Sequence, residues 1–433
     1  MVLLDGSHDL TIAGGGHALR RRSGQRNCSL IRASKVSNAS VRDLILDDDE
    51  SAEPCTPADK QCAPTVFVGN AQRVLIQNVR IYNAKQFSIT VSGVDGFTLD
   101  QSALVNSGII GIYVGKATGG IMSNHIRITD SVFARTRTNA IALDGVRGAS
   151  PSDNVVSGNV FTQNHVHGLY MDPKNKPYDG GQIYIPDLTG ATITQNVVGL
   201  GGCPVCDNPM VWGVEIGRIG QVNIQSNVFF RSYGAAFFKD TGGSIDSTDV
   251  FQQNSLRGLN GVSLASGGGN DVSGARMSGN VDDGHRIKLN DLDSAYRIYR
   301  VRVKARHWTV GTPEKGAVVE GVFTLSPIPR PGAPIYPIFG CGSSQSPGEP
   351  GGQEFPSTSK GCEGSQIVEV FGYPYEAAYP GAQPVYRCRD GADRFISWDA
   401  ACEGKTVEAQ LGYALQTEGD GSRREDEGSR HDH

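Results

Sequence analysis

Short stretches in which apolar and polar residues alternate recur along the first two thirds of the chain. Each is a hexad whose second and fourth residues are mostly apolar, as Val66 and Val68 are in TVFVGN. An alternation of period two is typical of a β-strand that buries one face. The pattern therefore predicts eight equivalent strands, in hexads that begin at Thr65, Ser88, Gly111, Ala140, Gly168, Gly213, Ala235 and Gly261.

The spacing of the hexads indicates how these strands are arranged. Most hexads follow one another at 22 to 29 residues, one follows at 45, and no helical period lies between them. Short repeated strands of this kind bury their apolar face by stacking on their neighbours, which predicts a parallel β-solenoid rather than a hairpin-linked sandwich. A second motif predicts a turn whose asparagines stack from unit to unit, at Asn78, Asn159, Asn196, Asn227 and Asn254.

Residues 2–281 resemble the right-handed parallel β-helix of the pectate-lyase-like superfamily in this coil pattern and its asparagine motif. The resemblance implies an all-β fold class and, in general terms, chemistry on polysaccharides. The first residues, VLLDGSHDLTIAGGG, already follow the coil pattern. We therefore expect an N-terminal cap and a signal peptide to be missing from this sequence.

The far end of the chain follows a different pattern. Two copies end at Tyr373 and Tyr413, and each holds two cysteines, a CEG turn and a closing Gly-Tyr. Units this small need a covalent staple, which predicts small disulfide-stapled repeats. They resemble the repeated appendage of secreted bacterial hydrolases. The predicted parts are a parallel β-helix over 1–285, a trailing segment and linker over 286–333, two Cys-paired repeats over 334–415 and a disordered tail over 416–433.

The cysteines indicate a compartment. Eight of the nine form near pairs, namely Cys55 with Cys62, Cys203 with Cys206, Cys341 with Cys362 and Cys388 with Cys402, while Cys28 falls outside them. Local pairs in loop-like sequence favour disulfides, although CPVC at Cys203 could also be a redox or metal-binding motif. We therefore expect an extracellular or cell-surface protein.

Charge narrows the range of partners. The net charge is -5 without a long basic run, which argues against nucleic acid and anionic membranes as partners. No apolar run is long enough to span a bilayer. An extracellular polysaccharide is the partner that fits the resemblance.

Candidate chemistry lies on the outer face of the predicted coils. The third and fifth residues of each hexad point outward, and stacking brings equivalent positions together. The middle hexads carry acids, bases and phenols, beside the longest insertion, 175–212, and such insertions commonly wall a binding site. The candidate catalytic residues are Tyr170, Asp172, His165, His167, Lys239 and Glu215. The candidate substrate-binding residues are Tyr113, Lys116, Lys174, Arg218 and Phe237.

Three hypotheses follow from this cluster. In the first, Asp144, Asp172 and Glu215 hold Ca²⁺, the metal neutralises a uronate group, and a base removes the C5 proton while the C4 oxygen leaves. The base would be Lys239, Arg218, Tyr170 or His167, as in a polysaccharide lyase. In the second, a pair of the same acids serves a glycoside hydrolase. In the third, the face belongs to a non-catalytic glycan-binding or cell-surface solenoid.

One residue of a motif from a related enzyme class is replaced in this sequence. Asp172 and Pro173 resemble the start of the Asp-Pro-His motif of mannuronan epimerases, but Lys174 stands in place of the histidine. The epimerase hypothesis therefore rests on a partial motif.

Overall fold

The computed structural model describes residues 2–21, 28–48, 62–164, 180–199, 211–230, 232–238, 247–257, 259, 264–266, 276–282, 297–303, 306–311, 316–342 and 354–416. The chain divides into two compact units, Met1–Asp293 and Ser294–His433. Among the described residues, no helix is long and apolar enough to cross a membrane.

The first unit is built from parallel strands alone. Every described strand pairing in this unit is parallel. The strands are β1 (Val2–Leu3), β2 (His8–Ala13), β3 (Ala18–Arg20), β4 (Ile31–Ser34), β5 (Ser37–Asp47), β6 (Val66–Gly69), β7 (Gln72–Tyr82), β8 (Ile89–Ser92), β9 (Asp95–Asp100), β10 (Ala103–Val105), β11 (Ile112–Gly115), β12 (Ser123–Thr129), β13 (Val132–Ala134), β14 (Ile141–Arg147), β15 (Asn154–Ser157), β16 (Val160–Thr162), β17 (Gly180–Thr194), β18 (Val197–Gly199), β19 (Val211–Gln225), β20 (Val228–Phe230), β21 (Gly234–Phe238), β22 (Val250–Gln252), β23 (Ser255–Arg257), β24 (Leu264–Ser266), β25 (Arg276–Ser278) and β26 (Val281–Asp282).

These strands form the three faces of a parallel β-helix. Face A contains β1, β4, β6, β8, β11, β14, the first parts of β17 and β19, β21 and β24. Face B begins with β2 and continues through β9, β12 and β15 to β25. Face C begins with β3 and continues through β10, β13 and β16 to β26. The predicted solenoid is confirmed.

The core lies inside the coils, where the apolar residues of the hexads meet. Ile89, Val91, Ile112 and Val114 are each fully buried. Full burial of such a side chain contributes about 1.5 to 3 kcal/mol. One apolar column therefore runs through the stacked coils, as the alternation predicts.

The structure corrects the register of one coil. The sequence placed the hexad Gly168 to Pro173 next to the hexad that begins at Ala140, but β14 pairs directly with β11 on one side and with β17 on the other. Both neighbouring positions on face A are thus occupied. Residues 165–179 lie outside the described part of the chain.

The segment that takes this position repeats the same alternation 14 residues further along, since Tyr184 follows Tyr170 by that number. In β17, Ile183 and Ile185 are fully buried, while Tyr184 between them points outward. Tyr184 pairs with Ala142, and Asp187 pairs with Asp144 across a register shift. A second shift affects the last hexad, in which Leu264 rather than Val262 pairs with Ala236.

The asparagine turns stack as predicted between faces B and C. The Oδ1 atom of Asn227 accepts hydrogen bonds from the backbone and side-chain nitrogens of Asn196, both at 3.0 Å, and Asn254 accepts the same pair from Asn227. The ladder continues from Asn159 to Asn280. Burial of amides is tolerated here because each finds hydrogen-bond partners.

Asn78 does not belong to this ladder. It lies one position earlier in the turn, where the backbone is left-handed with φ 51°, and its side chain donates to Asp43. Asparagine tolerates this backbone region better than most residues. The ladder position of that coil is Val79, whose amide donates to Ser102.

The second unit contains antiparallel sheets. Its strands are β27 (Arg297–Val303), β28 (Arg306–Val310), β29 (Val318–Thr324), β30 (Ile338–Gly342), β31 (Phe355–Ser357), β32 (Gln366–Gly372), β33 (Ala382–Asp390), β34 (Asp393–Ser397) and β35 (Thr406–Gln416). Disulfides join Cys341 to Cys362 and Cys388 to Cys402, as predicted. Cys62 in the first unit is also disulfide-bonded. Cys55, Cys203, Cys206 and the 417–433 tail lie outside the described residues.

A third, cysteine-free repeat precedes the two that the sequence revealed. The first strand of each repeat is central, in the orders β28-β27-β29, β31-β30-β32 and β34-β33-β35. All three have a register shift at the same place, before Val301, Cys341 and Cys388. Val301 thus takes the cysteine position. The stretch that the sequence analysis assigned to a linker, 286–333, therefore contains three paired strands.

Candidate active site

The outward-pointing side chains of face A form one row across successive coils. Strand pairing fixes its order as Arg32, Phe67, Thr90, Tyr113, Ala142, Tyr184 and Glu215, and the backbone position of Phe237 follows in register. Neighbouring members lie on strands about 4.8 Å apart. We call this set the outer row.

Tyr113 and Asp144 form a hydrogen-bonded pair on adjacent coils. The Tyr113 hydroxyl donates to Oδ2 of Asp144 at 3.0 Å. Burial, the Asp144 charge and this hydrogen bond raise the pKa of Tyr113 to about 12. The phenol therefore stays protonated at neutral pH.

A glycine allows Tyr113 to lie on the sheet. A Cβ atom at Gly115, two residues further along the strand, would come within 2.6 Å of the Tyr113 ring. Real Cβ contacts are not this short, so the ring occupies the space that a side chain at residue 115 would fill. Phe67 lies against Gly69 in the same way, at 2.7 Å.

Asp187 lies on the next coil beside Asp144 and is held by an arginine. The Arg147 guanidinium donates to Asp187 Oδ2 at 2.5 Å, and Arg218 is the register partner of Asp187 on the following coil. The Oδ1 atom of Asp187 is buried, and within the described part of the chain it has no hydrogen-bond partner. This side of face A thus carries two acids and two arginines.

Glu215 extends the cluster by one more coil. It stands between Tyr184 and Phe237 in the outer row, and only 3% of it is exposed. A buried carboxylate requires a compensating partner, and the catalytic role of Glu215 stays a prediction. Arg218, by contrast, is exposed.

The structure brings together part of the predicted site. Tyr113 and Asp144 lie on adjacent coils of face A, Glu215 and Arg218 lie on β19, one coil beyond β17, and exposed Lys116 follows β11. Phe237 is in register with Glu215. The remaining predicted residues lie outside the described part of the chain, namely His165, His167, Tyr170, Asp172, Lys174 and Lys239.

Sequence analysis missed Tyr184, Asp187 and Arg147. The signal was present, because QIYIPD repeats the tyrosine and aspartate of GLYMDP. The Asp187 position was obscured by the register shift between Ala142 and Asp144, where β17 has one residue more than β14. A pattern of strict period two does not locate such a bulge.

The described residues do not fit a calcium site. Asp187 is already paired with Arg147, and Asp144 accepts from Tyr113. In the described part of the chain, no group of three or more His, Cys, Asp or Glu side chains is arranged to hold a metal ion. A site that includes Asp172 stays a prediction.

Comparison with known proteins supports the fold. The family described as "Right handed beta helix region" matches residues 23–202. No curated protein matches the sequence.

Several solved structures are similar at low identity. A mutant of the periplasmic alginate epimerase AlgG is 9% identical with a TM-score of 0.33, over 57% of this chain and 51% of that one. PfbA, a surface adhesin of Streptococcus pneumoniae, is 10% identical with a TM-score of 0.32, over 73% of this chain and 82% of that one. The A-module of mannuronan C-5 epimerase AlgE4 from Azotobacter vinelandii is 12% identical with a TM-score of 0.24, over 64% and 83%. The chain thus spans about half of the AlgG mutant. Its first unit is a right-handed parallel β-helix.

Proposed function

We propose that the protein is a carbohydrate-active enzyme that cleaves uronate-containing polysaccharides by β-elimination. The observation that carries the proposal is the hydrogen-bonded pair of Tyr113 and Asp144 on face A, near half-buried Arg147 and exposed Arg218. A protonated phenol, a carboxylate and guanidinium groups are the functional groups that this reaction requires.

Exposed cations near this pair would make the C5 proton of the substrate more acidic. The proton at C5 of a uronate is weakly acidic, and it becomes more acidic when a cation neutralises the adjacent carboxylate. Exposed Arg218 offers a guanidinium that can bind a carboxylate through two hydrogen bonds. Lys116 offers a second exposed cation.

Asp144 and Tyr113 would move the protons. Asp144 takes the proton from C5, the electron pair of that bond forms the C4–C5 double bond, and the bond from C4 to its oxygen breaks. Tyr113 passes its phenolic proton to the departing oxygen. A proton transfer from Asp144 to Tyr113 along their hydrogen bond of 3.0 Å then restores both groups.

Two other functions use the same face. A glycoside hydrolase would use Asp144 and Asp187, which are register partners on adjacent coils. A non-catalytic glycan-binding solenoid would use the row without turnover. Both are distinguished from a lyase by their products.

The decisive experiment follows the products from a panel of pectic, alginate and glycosaminoglycan polysaccharides. A lyase yields an unsaturated sugar end, so ultraviolet absorbance rises. New reducing ends without this absorbance would indicate a hydrolase, and exchange of the C5 hydrogen in D₂O without cleavage would indicate an epimerase. Binding without any of these changes would overturn the enzymatic proposal.

A chelator added to the same assay tests the calcium hypothesis. If Arg218 neutralises the uronate, the rate stays unchanged after chelation. Loss of the rate, and its recovery with Ca²⁺, would instead support a metal site that includes Asp172.

A further inference from the structure

Aromatic residues occupy every second position of the outer row. Phe67, Tyr113 and Tyr184 alternate with Thr90 and Ala142 over five consecutive coils. Successive aromatic positions are therefore about 9.5 Å apart along the β-helix axis, which is twice the strand spacing. The two-coil period covers the five coils from β6 to β17.

The rings of Phe67 and Tyr113 lie flat on the sheet and present a face rather than an edge. Phe67 and Tyr113 each lie over the glycine two residues further along, so the rings lie along the strand instead of standing upright. Phe87 stacks on Tyr113 with a centroid separation of 5.9 Å and an interplanar angle of 20°. Phe67, Tyr113 and Tyr184 remain partly exposed.

We infer that face A binds an extended polysaccharide along the helix axis, with every second sugar ring stacked on an aromatic residue of the outer row. This inference rests on the proposed function for its substrate class and adds a binding track that reaches Phe67, two coils beyond Tyr113. In an extended chain, alternate rings present the same face, so one platform for every two rings suits a disaccharide period. One sugar ring is roughly as long as the spacing between two coils, so two rings span the distance between successive aromatic positions.

Charge at the outer end of the track suits an acidic chain. The Arg32 guanidinium lies 5.6 Å from the Phe67 ring centroid, and Arg32 is exposed. Arg32 also pairs with Asp5 at 3.5 Å on the exposed surface, where such a pair is weak. A uronate stacked on Phe67 would therefore find a cation within reach.

The test compares Phe67→Ala with Leu75→Ala across a series of oligosaccharides of increasing length. Leu75 lies on face B of the same coil and is also half-buried and outward-facing, so its substitution is a matched control. For long oligosaccharides, we expect Phe67→Ala to raise KM about tenfold with kcat unchanged. Short oligosaccharides that reach only Tyr113 and Tyr184 should be unaffected, and Leu75→Ala should change neither parameter.

Two outcomes would overturn the track. One is a Phe67→Ala effect that is the same at every chain length, and the other is an equal effect of the two variants. Phe67→Tyr, which keeps the ring, should restore the KM of the unaltered protein.

Failure of the track and failure of the enzymatic proposal are distinguishable. If no substrate is turned over, affinity electrophoresis in gels that contain each polysaccharide of the panel still measures binding. If Phe67→Ala abolishes the retardation, the binding track is supported although the enzymatic proposal fails. If turnover is independent of chain length, the enzymatic proposal is supported although the binding track fails.

Discussion

At the scale of single residues, the position of Tyr113 depends on a neighbour without a side chain. Gly115 leaves the space in which the phenol ring lies, and the ring then reaches Asp144 with a hydrogen bond of 3.0 Å. The same hydrogen bond, burial and the nearby charge keep the phenol protonated. Conformation and chemistry of this residue are therefore set by the same few contacts.

Gly115→Ala should separate Tyr113 from Asp144. The new Cβ would lie 2.6 Å from the ring, which must tilt away from the sheet. We expect a loss of roughly tenfold in kcat/KM, because a misplaced proton donor costs about 1.4 kcal/mol or more of transition-state stabilisation. Gly220→Ala is the control, since its nearest neighbour is 3.7 Å away. Equal rates for both variants would show that Tyr113 is not positioned in this way.

The titration of Tyr113 should be visible at high pH. The folded pKa of about 12 lies above the ordinary value of 10, so the folded state holds this proton more tightly. The resulting stability is present below about pH 10 and is lost as the pH rises towards about 12. Burial also raises the pKa of Tyr375, so tyrosinate absorbance should show more than one late-titrating tyrosine, and Tyr113→Phe should remove one of them. An unchanged titration curve in that variant would contradict the assignment.

At the scale of elements, the turns between faces B and C align successive coils through buried amides. Asn227 bonds to Asn196 on one side and to Asn254 on the other, and its Nδ2 also donates to the Ile193 carbonyl at 3.0 Å. Such a ladder fixes the register of neighbouring coils, because a displaced coil would leave buried polar atoms without partners.

Asn227→Ala should destabilise the β-helix by about 3 kcal/mol, because several buried donors and acceptors lose their partner at once. The midpoint of urea unfolding measures the change. Asn78→Gly is the control, since Asn78 is exposed and glycine keeps its left-handed backbone. A similar midpoint shift for the two variants would mean that the ladder contributes no more than a surface turn.

Sequence alternation predicted the strands of face A, but not every coil register. Period two identifies which residues point inward, so Ile112 and Val114 were located without the structure. It does not distinguish two neighbouring segments with the same alternation, and thus Gly168 to Pro173 was chosen over the segment that contains Tyr184. Only pairing with both neighbours resolves the choice, because pairing depends on contacts distant in sequence.

At the scale of the whole molecule, the two units are stabilised by different means. The β-helix buries one continuous apolar column. The second unit repeats a small antiparallel motif, and its apolar clusters contain few residues. Two of its three repeats contain a disulfide. The cysteine-free first repeat was missed because Val301 replaces the residue by which the pattern was recognised.

Replacing Cys388 and Cys402 together by serine should affect the second unit alone. A loop of this length contributes about 3 kcal/mol when closed by a disulfide. Differential scanning calorimetry should show the transition of the second unit at a lower temperature and that of the β-helix unchanged. A shift of the β-helix transition by the same amount would contradict independent stabilisation.

The central claim is that the coils carrying Tyr113, Asp144 and Asp187 form one active site. The most direct test is the initial rate of unsaturated-product formation for Asp144→Asn, with Asp95→Asn as the control. Asp95 is exposed and bonds to His125 at 2.7 Å on face B. We expect a loss of about a hundredfold or more for Asp144→Asn, because an amide cannot take up the C5 proton, and no loss for Asp95→Asn. Equal rates for both variants would contradict the central claim.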